Sequence, residues 1–149
     1  MFSIFKYIGL GALGALLAIG GIFFYFNSST ASNEEIFVPF IETNIRQLSS
    51  WDKEKYFPLM TEEEVNRYSP KQWDQIMSEL SKFGKFKSYE HPKLMGYHTL
   101  NPFFGGDKVT SATYSVWVNF ESYSAELTIS MKGNEDKVQI TGARWKRVL

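Results

Sequence analysis

Val109-Thr-Ser-Ala-Thr-Tyr-Ser-Val-Trp-Val-Asn-Phe120 alternates with a period of two. Ala112, Tyr114, Val116, Val118 and Phe120 face one way, and Thr113, Ser115, Trp117 and Asn119 face the other. That is the pattern of a strand with one buried face. Ala125, Leu127, Ile129 and Met131 repeat it, with Glu126, Thr128, Ser130 and Lys132 opposite. Gly133-Asn134-Glu135-Asp136 reads as a hairpin turn into Val138 to Thr141. Gly142 marks a bulge, after which Trp145 and Val148 close the chain. On the other side, Phe86 to Tyr89 begins a strand that Pro92 interrupts or edges and Leu94 to Thr99 continues.

Upstream the period changes to that of a helix. Ile36, Phe37, Phe40, Ile41, Ile45 and Leu48 recur at helical spacing, with Pro39 opening or bending the helix. Thr61-Glu62-Glu63-Glu64 has the form of a capping box before a short turn through Tyr68. Ser69-Pro70-Lys71-Gln72 supplies an N-cap, a proline at the first helical position and a glutamine at the third. The helix it starts carries Trp73, Ile76, Met77, Leu80 and Phe83 and stops at Gly84, a natural residue for the C′ position.

Before all of these lies Tyr7 to Phe26, 20 residues without a charge, between Lys6 and Asn27. At about 1.5 Å per residue the stretch matches the hydrocarbon thickness of a bilayer. It is longer than the apolar region of a cleaved signal peptide, which favours a retained anchor over cleavage after Ala31. Lys6 precedes it while Glu34 and Glu35 follow, so the positive-inside rule leaves the N-terminus cytoplasmic and exports the rest, to the periplasm or outside. Gly11, Gly14, Ala15, Ala18 and Gly21 form one small-residue stripe that lets a partner helix approach closely.

Helices grouped first and antiparallel strands later describe an α+β fold. The expected organisation is an N-terminal transmembrane helix over 1–26, a polar linker over 27–33, and an exported domain over 34–149. In that domain, helices pack on a curved antiparallel sheet of about four strands. Leu80-Ser-Lys-Phe-Gly84-Lys-Phe-Lys-Ser88 resembles the point where the last helix of a cystatin-like, nuclear-transport-factor-2-like domain enters its first long strand. Tyr114-Ser-Val-Trp-Val-Asn-Phe-Glu121 resembles the central strand of such a domain, Ala125 to Met131 its hairpin partner, and Val138 to Trp145 its closing strand. The resemblance covers most of 36–149 and rests on the order of elements, without a diagnostic motif. With the anchor, the chain also resembles small exported proteins and the single-span assembly subunit of bacterial type IV secretion systems.

Composition narrows the chemistry. Sixteen basic residues balance sixteen acidic ones, against the basic excess of a nucleic-acid binder, and there is no cysteine. Two histidines make a His-rich zinc site a poor expectation, and no cofactor motif is present. The resemblance implies His98, Asp107 and Tyr114 as the candidates for isomerase or dehydratase chemistry. Asp107 is more simply a turn residue, and Tyr114 a core aromatic.

The expected function is a non-enzymatic protein-binding or assembly subunit of an envelope complex. It would contact its partner through the membrane helix and through the exported surface at Trp117, Arg144, Lys146 and Arg147. The alternative is a small apolar ligand in a cone lined by Tyr114, Val116, Leu127 and Ile129. Phe103 and Phe104 are expected to plug the open end of the sheet. Charge is uneven: residues 34–64 carry eight acids against three bases, and 65–98 six bases against three acids. Such a division suits oriented docking.

Overall fold

The computed structural model describes residues 34–100, 106 and 108–148. Helix α1 runs through 34–48. Phe37, Ile41, Ile45 and Leu48 recur every three or four positions, share one face and are fully buried. Pro39 lies inside this helix rather than opening it, and withholds one N–H from the ladder. Beyond the helix, Trp51 takes φ 59°, a left-handed conformation that costs a bulky residue about 1 kcal/mol. Its ring is held among Phe83, Phe120 and Trp145, with centroids 5.9, 5.4 and 5.2 Å away.

Three helices and a 3-10 turn follow. Helix α2 (Lys53–Tyr56) is capped by the Asp52 side chain and runs into a 3-10 turn over Phe57–Leu59. Helix α3 (Glu62–Val65) starts at Thr61, and α4 (Pro70–Ser81) starts at Ser69. At Ser69 the capping box closes in both directions: its Oγ accepts from the Gln72 N–H at 3.3 Å, and Gln72 Oε1 accepts from the Ser69 N–H at 2.8 Å. Gly84 follows the helix with φ 85°, and a Cβ there would stand 3.2 Å from the Cβ of Glu121. The position therefore requires glycine on two counts.

The sheet contains β1 (Phe86–Tyr89), β2 (Lys93–Leu100), β3 (Val109–Phe120), β4 (Ser124–Gly133) and β5 (Val138–Val148). The order is β1-β3-β4-β5, and β2 also pairs with β3. Every strand pair is antiparallel. The expected count of about four strands is corrected to five among the described residues. Proline has no N–H for the ladder, so the edge strand breaks at Pro92 into two pieces lying along the same partner. Pairing with β3 reaches the Glu90 N–H, which donates to the Trp117 carbonyl at 2.9 Å, and resumes at Lys93 opposite Ser115.

The expectation of a transmembrane helix is corrected to what the described residues show: none of their helices is long and apolar enough to cross a membrane. Helix α1 exposes Glu34, Glu35, Glu42 and Arg46, so it is amphipathic and lies against the domain's own core. The stretch 1–26 with its stripe Gly11, Gly14, Ala15, Ala18 and Gly21, and the linker 27–33, lie outside the described residues. The structure supports helices followed by a five-stranded antiparallel sheet.

A second irregularity sets the faces of β5. Ile140 pairs with Met131 and Ala143 with Ile129, and the register shifts between them. The extra residue is a bulge at Thr141–Gly142, where Gly142 marks it in the sequence. Residues three apart thereby come to the same face, and Trp145 follows Ala143 inward. On the opposite edge of β5, the Thr61 N–H donates to the Ile140 carbonyl at 2.9 Å.

Candidate functional site

The register of β3, β4 and β5 builds the candidate site from side chains that alternate away from the core. Trp117 stands opposite Glu126 on β4, and Glu126 stands opposite Lys146 on β5. Thr128 and Arg144 form the neighbouring row with Ser115. Four side-chain hydrogen bonds knit this outer face. Ser115 Oγ donates to Glu126 Oε1 at 2.6 Å, and Thr113 Oγ1 shares a hydrogen bond with Ser130 Oγ at 3.0 Å. Asn119 Nδ2 donates to Ser88 Oγ at 3.0 Å and its Oδ1 accepts from Ser124 Oγ at 2.7 Å.

Trp117 interrupts this hydroxyl-rich surface. It is 37% exposed, and it is not among the hydrophobic side chains packed against the core. Arg144 and Lys146 are exposed on the same face, two strands away on β5. Among the described residues neither enters an ion pair. A face that carries an indole and two such cations can bury apolar area and meet carboxylates at once.

Arg147 does not join them. It pairs with Ala125, whose side chain is fully buried, so alternation turns it to the other side of the sheet. There its guanidinium lies over the Tyr123 ring, 3.5 Å from the centroid. Three of the four expected surface residues therefore share a face, and the fourth stacks elsewhere.

Tyr114, Val116, Leu127 and Ile129, expected to line a cone, are each fully buried in one cluster with Phe37, Ile41, Ile45 and Leu48. The Phe37 ring of helix α1 packs on that of Tyr114, with centroids 6.3 Å apart. Burial pushes the Tyr114 hydroxyl up to about 12, helped by the charge of Glu34. That hydroxyl has no hydrogen-bond partner among the described residues. Tyr56 is also pushed up to about 12 by burial, although Trp145 Nε1 donates to its oxygen at 2.9 Å.

His98 is exposed in register with Ser111, on the outward side of β2. His91 Nδ1 lies 3.5 Å from Glu42 Oε1 in the break between β1 and β2. Phe103, Phe104 and Asp107 lie outside the described residues. No group of three His, Asp or Glu side chains able to hold a metal occurs among the described residues.

One feature escaped the sequence reading. A groove of about 240 Å³ runs between α3, α4 and β5, with Tyr56, Glu64, Tyr68, Trp73, Ile76 and Trp145 along it. Glu64 is only 5% exposed. Its capping-box spacing signalled a carboxylate turned back onto the Thr61 N–H, and that donor is already taken by Ile140. Comparison with protein-family models, curated proteins and solved structures finds no match to this chain.

Proposed function

We propose that the chain is a non-enzymatic protein-binding subunit, and that its outer sheet face docks an acidic surface of a partner within an envelope complex. The observation that carries this reading is the row Trp117–Glu126–Lys146 with Arg144 beside it, on a face the hydrophobic core does not use. Tryptophan and arginine are the residue types on which interface energy concentrates. The hydrogen bonds of Ser115, Thr113 and Asn119 hold the surrounding surface in one shape, which lowers the entropy lost when a partner docks.

The location that goes with this reading is the far side of a membrane from Lys6. It rests on the charge order of the sequence alone, with Lys6 before the uncharged stretch and Glu34 and Glu35 after it. A cystatin-like arrangement of helices over a sheet belongs to the same proposal, because that architecture leaves one sheet face for docking.

The test is extraction of the intact chain from its native cells in a mild non-ionic detergent, followed by sizing and mass spectrometry. A stoichiometric companion is expected. It should be lost with Trp117→Ala and with the double charge reversal Arg144→Glu, Lys146→Glu. Elution of the chain alone, or a companion indifferent to both variants, would overturn the reading.

A further inference from the structure

The two capping boxes carry the same signature and finish differently. At Ser69 both halves close. At Thr61 the side-chain half forms, with Oγ1 accepting from the Glu64 N–H at 3.3 Å. The reciprocal half is absent because the Thr61 N–H donates to the Ile140 carbonyl. The Glu64 carboxylate is thereby displaced from its local role and left inside the domain. Its Oε2 has no hydrogen-bond partner among the described residues. Arg67 Nη2 approaches to 2.9 Å from a half-exposed position, a charge contact without hydrogen-bond alignment. Buried carboxylates ordinarily have aligned donors, so this one is incompletely served.

Its surroundings say what kind of donor fits. Tyr56, Tyr68, Trp73 and Trp145 border the same groove, and aromatic rings beside a carboxylate attract organic cations. Arg144 also touches the groove, and Arg67 stands at the carboxylate. A simple cation would meet two guanidinium groups, and a simple anion would meet Glu64. A molecule carrying both charges satisfies the whole set.

We propose that this groove binds a small zwitterion, its ammonium group against Glu64 and the rings and its carboxylate or phosphate toward Arg67 and Arg144. The volume of about 240 Å³ has room for about eight water-sized groups, enough for a small N-methylated amino acid that keeps an N–H. The site shares Arg144 with the docking face, while Glu64 and Tyr68 take no part in docking, so variants at those two residues test the groove alone.

The full chain in a non-ionic detergent is titrated by calorimetry with N,N-dimethylglycine, trimethylammonium and acetate, while Trp73 and Trp145 report by fluorescence. N,N-dimethylglycine, whose ammonium N–H can donate to the carboxylate, is expected to bind saturably, at least about tenfold tighter than either single ion. Glu64→Gln and Tyr68→Ala should each weaken it by about tenfold or more with unchanged circular dichroism. Tyr68 is exposed, so its variant carries the test even where Glu64→Gln does not fold. No saturable binding of N,N-dimethylglycine, equal binding of trimethylammonium, or full affinity in a folded Glu64→Gln would each overturn the proposal.

Discussion

The two faces of the sheet are built from the same three strands and have opposite fates. Inside, Tyr114, Val116, Leu127, Ile129 and Met131 are completely buried under α1. Outside, Ser115, Trp117, Glu126, Thr128 and Lys146 alternate with them one residue away. The inner face is held by burial, which is non-directional and scales with area. The outer face is held by a few directional hydrogen bonds that contribute about 1 kcal/mol each. The inner face can therefore serve stability while the outer face remains available for contact.

The most damaging way to erase this difference is to delete Gly142. Without the bulge the end of β5 changes register, turning Trp145 outward and Arg144 and Lys146 toward the core. The variant should lose its cooperative unfolding transition in a denaturant titration. A normal transition would mean that the bulge does not set the faces.

Leu127→Ala opens a cavity on the inner face and should cost about 3 kcal/mol by chemical denaturation. Alkali addresses the same face through its tyrosines. Tyr56 and Tyr114 titrate at about 12 in the folded chain against 10.0 when free. Each hydroxyl is held neutral by the fold, so stability is full below about pH 10 and falls as pH rises toward 12. The loss is about 2–3 kcal/mol per tyrosine. Tyr114→Phe should abolish its share of that loss and leave stability near neutral pH unchanged or slightly raised. Smallest is Thr128→Ala, one residue from Leu127 on the outer face, at under about 0.5 kcal/mol.

Much of this contrast was legible in the sequence because β3 and β4 keep a strict period of two. Alternation separates their inner residues from their outer ones, and local chemistry marks the hairpin at Gly133, the break at Pro92 and the box at Ser69. What escaped depends on distant contacts. Arg147 was grouped with Arg144 and Lys146 by adjacency, although alternation turns it away onto Tyr123. Glu64 was read as a closing cap because nothing near it announces that Ile140 takes the Thr61 N–H. The residues expected to line a cone share the buried face, where Phe37 of α1 packs on Tyr114.

On the docking proposal, Trp117 is the contact point of the open face. A photo-crosslinking amino acid placed at Trp117, and separately at Thr128 and at Arg147, should be activated in intact cells. One discrete partner adduct is expected from Trp117, a weaker one from Thr128, and none from Arg147. Equal labelling at all three positions, or an adduct from Arg147 alone, would contradict it.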